Sequence, residues 1–278
     1  MKSSYYKYFA ALLLFGSNGI VASNINLPSY EIVLLRLLLG SLFLITVFTV
    51  SRQRFTFYRN KHTCLYLFIS ASAMGASWML LYEAYQQVGV SIASLAYYCG
   101  PVIVMILSPF LFRETLTWPK IAGFLTVLAG MCLVNLQALD EGKTIWGLFC
   151  GLMSAFMYAL MITANKKAKP ESGLENSLLQ LVIGSFIVVA FVSMQKNFVL
   201  SLTTIDWIPV LLLGLLNTGI GCYLYFSSIT DLPVQTVAIC GYLEPLSAVV
   251  FSVLFLHEVL LPLQMLGAVL ILGGAIFG

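Results

Sequence analysis

The sequence predicts an all-α integral membrane protein, with ten transmembrane helices arranged as two inverted five-helix repeats. Three observations carry that prediction: an apolar composition, a train of span-length apolar runs, and a repeat between the two halves. Of the 278 residues, 60% are hydrophobic and 9% are charged. Mean hydropathy is +0.96. A soluble domain carries roughly 25% charged residues, so most of this surface must face lipid rather than water.

The runs come in order at 7–24, 29–50, 63–86, 92–112, 119–137, 144–164, 175–195, 206–229, 235–256 and 261–277. Each suits a hydrocarbon core of about 30 Å. Short connections hold most of the charge and leave no room for a soluble domain. Lys2, Lys7, Arg52, Arg54, Arg59, Lys61, Arg113, Lys120, Lys166, Lys167 and Lys169 fall on one side; Lys143 and Lys196 fall on the other. Cytoplasmic loops carry the excess of Lys and Arg. Both termini are therefore expected in the cytoplasm, with the chain in a plasma (inner) membrane. The apolar stretch after Met1-Lys2 lacks a cleavage signal and reads as the first span. The six cysteines sit inside apolar runs without metal-ligand spacing and read as small buried groups.

The halves match at an offset of 144 residues. Gly40 pairs with Gly184, Ser41 with Ser185, Gly75 with Gly219, Pro101 with Pro245, and Ser108 with Ser252. Glu114 pairs with Glu258, Gly123 with Gly267, and Gly130 with Gly274. The scarce Pro and Glu matches weigh most. Residues 1–139 and 140–278 are the expected repeats. Five spans is an odd number, so the second copy enters from the opposite face. Inverted repeats are common in secondary transporters, whose sites lie near the midplane between the halves. A duplicated scaffold without transport is the alternative.

The sequence resembles the EamA-type ten-helix members of the drug/metabolite transporter superfamily over essentially the whole chain. The carriers are the repeat, Phe15-Gly16-Ser17-Asn18 in helix 1, and Arg36 in helix 2 after Pro28. The most specific is the paired element Pro101…Phe112-Arg113-Glu114…Gly123…Gly130 and Pro245…Leu256-His257-Glu258…Gly267…Gly274. Phe15 stands where Trp is common, and Gln180 stands where the second copy would repeat Arg36. The resemblance implies transport of a small organic solute such as an amino acid, amine or related metabolite, by export or exchange.

Charges within spans cost about 2.5–3.5 kcal/mol on insertion scales and are functional candidates. Glu244, directly before Pro245, is the strongest. A carboxyl beside a proline-kinked helix suits a cation or a proton; a bond to a neighbouring helix is the alternative. Arg36 can meet a substrate carboxylate through two parallel bonds, or pair with Glu83 or Glu31. Trp78, Tyr82, Tyr97, Tyr98, Tyr158, Tyr223 and Tyr242 are span aromatics that can form a substrate box, and Tyr97, Tyr98 and Tyr242, just before the symmetric prolines, rank first. Asn18 is balanced between substrate contact and interhelical bonding. Asn165, Gln180 and Asn217 read first as interhelical bonds. Pro101 and Pro245 are expected to kink helices 4 and 9. Glu114 and Glu258 suggest loop-capping or gate-closing contacts. The spacing of Gly123 and Gly130, and of Gly267 and Gly274, sets each pair on one helical face for close packing.

An enzyme is disfavoured. His257-Glu258 lacks the second His of HExxH, there is no GxSxG or Walker A, and His62 and His257 lie on opposite sides of the bilayer. No metal, cofactor or nucleic-acid partner is expected. The expected partners are the lipid bilayer, a small-molecule solute and, for an exchanging Glu244, protons. The alternative to a carrier is a membrane scaffold or receptor.

Overall fold

A computed structural model describes residues 2–135, 145–194, 207–256 and 262–277. Lys143, Lys196, His257, Glu258 and the expected boundary at 139/140 lie outside the described residues. Among the described residues every regular element is helical. The first pass is α1 (Lys2–Gly16) followed by α2 (Asn18–Ser23), and the second is α3 (Ser29–Val50). The expected continuous helix over 7–24 is thus interrupted at Ser17. Its hydroxyl turns back onto the Leu14 carbonyl at 2.7 Å, and glycine at 16 already weakens the helix.

Next comes α4 (Lys61–Tyr97), helical throughout and too long for one crossing. It doubles back. A methyl group on Gly151 would sit 2.7 Å from Ala96 Cβ and 3.8 Å from Ala84 Cβ. A straight helix would hold those alanines about 18 Å apart. Ser94 and Tyr85, nine positions apart, also meet through their hydroxyls at 3.5 Å. The expected turn between the third and fourth spans therefore stands, with helical backbone through it.

The fourth pass continues into α5 (Gly100–Phe112), and α6 (Trp118–Asn135) makes the fifth. Then follow α7 (Ile145–Ala168) and α8 (Gly173–Ser193). The eighth pass is α9 (Trp207–Leu211), a π-helical segment (Leu212–Ile220) and α10 (Gly221–Ser228). The ninth is α11 (Val234–Gly241) with α12 (Leu243–Leu256), and α13 (Pro262–Phe277) is the tenth.

Pro101 and Pro245 were expected to kink continuous helices. Instead each lies in the first turn of a new helix, α5 or α12, just after a break. Proline fits there because first-turn N–H groups have no intrahelical partner. The breaks fall at Tyr98-Cys99 and at Tyr242, in register with the 144-residue offset.

Small and polar residues set the packing. A methyl on Gly130 would lie 2.6 Å from the Gly267 carbonyl oxygen, and one on Gly274 would lie 2.5 Å from that of Gly123. The backbones of α6 and α13 therefore touch, as the glycine spacing predicts. Ser77 and Ser154 exchange hydroxyl-to-carbonyl bonds of 2.9 and 2.7 Å between α4 and α7. Asn165 donates to Asn176 at 2.9 Å, and Ser70 donates to Gln180 at 3.2 Å. These bonds satisfy polar groups that lipid cannot.

Candidate functional site

The breaks in the first, fourth and ninth passes surround one cavity of about 600 Å³. Phe15, Gly16, Asn18 and Gly19 line it from the break in the first pass, and Arg36 from α3. Trp78, Tyr82 and Tyr85 line it from the first arm of α4. Tyr97 and Tyr98 contribute from the fourth pass, Tyr158 from α7, Cys222 and Tyr225 from α10, and Glu244 from α12.

The cavity is one-sided. Its wall reaches Gly19 and Ser23, exposed residues at the end of the first pass farthest from the N-terminus. Toward the N-terminus it is sealed. Tyr8 and Ala11 are fully buried, and the Tyr8 hydroxyl donates to the Val237 carbonyl at 2.8 Å. The Tyr158 and Tyr225 hydroxyls lie 3.3 Å apart. Beyond them, the Glu114 carboxylate accepts from the backbone N–H groups of Val234 at 2.8 Å and Gln235 at 3.1 Å, at the start of α11. The Lys166 ammonium donates to the Thr230 carbonyl at 2.7 Å and also to that of Leu232. A carboxylate at a helix N-terminus and an ammonium on exposed carbonyls both meet the backbone charge they need.

Two charged groups share the cavity. Arg36 is 6% exposed. Its Nε donates to the Thr218 hydroxyl at 2.9 Å, and its Cζ lies 4.5 Å from the centre of the Trp78 ring. Gly16 lets the first pass close on α12 beside Glu244; a methyl there would lie 2.9 Å from the Glu244 carbonyl oxygen and 1.8 Å from Ser247 Oγ. Glu244 and Arg36 line the same cavity. Among the described residues, no donor is seated on the Glu244 carboxylate. Such a group, with aromatic rings around it, suits a cationic ligand.

Glu244, Arg36, Asn18, Trp78, Tyr97 and Tyr98, all named from the sequence, meet in this cavity. Tyr242 does not line it. That side chain is fully buried and donates its hydroxyl to the Tyr98 carbonyl at 2.7 Å. Glu83 lies away from the cavity, where Gln87 donates to it at 3.1 Å and the Trp146 indole at 3.4 Å. Among the described residues Arg36 forms no ion pair with Glu83 or Glu31; Thr218 and Trp78 hold it instead. Asn217 makes the interhelical bonds expected of it, donating to the Leu14 carbonyl at 2.8 Å and to Asn18 at 3.0 Å.

Thr218 and Tyr225 were not singled out from the sequence, and Tyr158 stood there only among the general span aromatics. The polar pair Asn217-Thr218 between two apolar stretches is the signal that points to the first. Nothing local separates the two tyrosines from ordinary membrane aromatics.

Ten helical passes around a one-sided cavity with an internal Arg and Glu define a polytopic membrane carrier fold. A crystal structure with a TM-score of 0.84 shares that fold at 17% identity, over 99% of this chain and 96% of the other. The uncharacterized transporter YxxF of Bacillus subtilis (strain 168) is 27% identical over 275 residues, 96% of this chain and 86% of its own. The threonine/homoserine exporter RhtA of Escherichia coli (strain K12) is 28% identical over 233 residues, 84% of this chain and 75% of its own. Residues 3–136 and 145–277 match the EamA-like transporter family, and the chain belongs to it. It is a multi-pass membrane transporter of the drug/metabolite type and not an enzyme.

Proposed function

We propose that this transporter carries a small zwitterionic solute, an amino acid first of all, by alternating access of the central cavity. The observation that carries the reading is the Glu244 carboxylate, on which no donor is seated among the described residues, in the same aromatic-walled cavity as the Arg36 guanidinium. Glu244 takes the ammonium group, and Arg36 takes the carboxylate. Tyr97, Tyr98 and Trp78 shield both contacts from water, and Asn18 adds a polar contact at the break of the first pass. RhtA is a threonine/homoserine exporter, which makes those two amino acids the first probes.

In this reading residues 1–139 and 140–278 are the two inverted halves, and their rocking exposes the cavity to each face in turn. Both termini lie in the cytoplasm of a plasma (inner) membrane, because the Lys and Arg excess is on their side. The cavity then opens outward, and export ends with release from this state. Glu244 also serves proton exchange once the solute has left.

The test is uptake of labelled threonine and homoserine, within a wider pool of amino acids and amines, by proteoliposomes with and without a pH gradient. Glu244→Gln is expected to lower saturable uptake about 10- to 150-fold, the worth of one charge-assisted contact of about 1.5–3 kcal/mol. It should also remove any acceleration by the gradient. Saturable uptake untouched by the substitution in a folded variant would discard Glu244 as the site.

A further inference from the structure

Arg36 is held by a π-helical segment, and that support bears on which solutes the site accepts. The inference rests on the reading of Arg36 as the carboxylate contact. Thr218 lies within the segment Leu212–Ile220 and is fully buried. Its hydroxyl donates to the Leu213 carbonyl, five residues back, at 2.8 Å. In a regular α-helix a Thr hydroxyl reaches carbonyls three or four residues back; the wider π turn brings the fifth within range. A hydroxyl has one proton. With that proton on Leu213, the Thr218 oxygen can only accept, and the Arg36 Nε donates to it at 2.9 Å.

The Trp78 ring covers a face of the same guanidinium. One edge and one face of Arg36 are thus occupied, which leaves the end that carries Nη1 and Nη2. The neighbouring Asn217 ties the segment to the first pass through the Leu14 carbonyl and the Ser17 hydroxyl, both at 2.8 Å. The two walls of the cavity are therefore referenced to one short stretch of irregular helix. π-bulges recur at functional sites.

We propose that Thr218 is a positioning residue that fixes Arg36 end-on, so that the site favours solutes whose planar carboxylate accepts two parallel bonds from Nη1 and Nη2. Solutes in which that group is a neutral amide are discriminated against. Without Thr218 as acceptor, the buried Nε must seek another partner, and the fork turns away from its productive angle.

The experiment uses the full chain in proteoliposomes, with labelled threonine as probe and threoninamide as competitor. Thr218→Val keeps the shape and removes the acceptor; Thr218→Ser keeps the acceptor. Thr218→Val is expected to raise the KM for threonine about 10-fold, equivalent to about 1.4 kcal/mol, with Vmax within about twofold. It should also erase the preference for threonine over threoninamide. Thr218→Ser restores both. A second arm needs no solute: in protein carrying Trp118→Phe, Trp146→Phe and Trp207→Phe, Thr218→Val shifts the emission of Trp78 and Thr218→Ser does not. Unchanged KM, selectivity and emission in Thr218→Val overturn the proposal. So does an equal loss in both variants, which marks Thr218 as a packing residue. If the wild-type protein moves no threonine, the carboxylate reading is what fails. The emission arm then decides the positioning alone: a shift with Val upholds it, and no shift overturns it.

Discussion

Gly130 and Gly274 stand 144 residues apart and meet the same surroundings, whereas Tyr98 and Tyr242, also 144 apart, do not. Each glycine presses on the carbonyl of a glycine in the partner helix, at would-be methyl distances of 2.6 and 2.5 Å. Tyr98 lines the cavity, while Tyr242 is fully buried with its hydroxyl on the Tyr98 carbonyl. Both pairs sit in matching backbone, so sequence equivalence alone does not decide symmetry. The glycine contact between α6 and α13 is symmetric and belongs to a scaffold. The tyrosines at the two breaks carry an asymmetry, and the cavity is open on one side. Under the proposed alternating access, the opposite state exchanges their roles: Tyr98 donates to the Tyr242 carbonyl, and Tyr242 turns to the cavity.

The largest test of this contrast is on the scaffold. Gly130→Ala and Gly274→Ala each push a methyl into a backbone oxygen that cannot step aside, so α6 and α13 must part. A cost of about 1–3 kcal/mol is expected for each, read as similar falls in thermal midpoint in detergent. Gly273→Ala is the neighbouring control. Nothing lies within 4 Å of its added methyl, so it should hold or raise the midpoint through helix propensity. Unequal effects at positions 130 and 274 would break the symmetric reading of this interface.

The tyrosines should respond unequally. Tyr242→Phe removes a buried hydrogen bond and leaves the Tyr98 carbonyl without that donor, which costs about 0.5–1.5 kcal/mol of stability. Tyr98→Phe keeps the bond, because only the Tyr98 backbone takes part in it. Its thermal midpoint should stay that of the wild type while the KM for threonine uptake changes. Equal thermal losses from the two substitutions would mean that the side chains share one environment, and the asymmetry would vanish.

The ten passes were legible because span length and charge asymmetry are properties of composition. The glycine contacts were legible because spacing alone fixes a helical face. Glu244 and Arg36 stood out because a charge in lipid is costly enough to need a reason. Tyr242 was read toward the cavity with its partner because the two share a local sequence setting. Its direction depends on the helical phase left by the break it occupies, and that phase is a tertiary property. Glu83 looked like a partner for Arg36 by its charge, but α4 carries it away from the cavity, where Gln87 and Trp146 meet it. The π segment left no mark in the apolar pattern. It is tied to other passes by the bonds that Asn217 donates to the first pass and the one that Thr218 accepts from Arg36, which a single segment of sequence does not display.

The smallest expected effect lies where two residues 144 apart meet side chain to side chain. The Ser41 and Ser185 hydroxyls are 3.0 Å apart. Ser185 also donates to the Leu181 carbonyl at 2.7 Å, so its single proton is committed there and Ser41 must be the donor between them. Ser41→Ala then deletes the bond without orphaning Ser185. Ser185→Ala leaves Ser41 free to turn its proton onto a carbonyl of its own helix. Both substitutions should therefore be mild, and a double-mutant cycle on thermal stability should give a coupling near 0.6 kcal/mol, the usual size for polar pairs between membrane helices. A coupling of zero would mean that packing of α3 on α8, through residues such as Gly40 and Leu181, holds this contact without help from the hydroxyls.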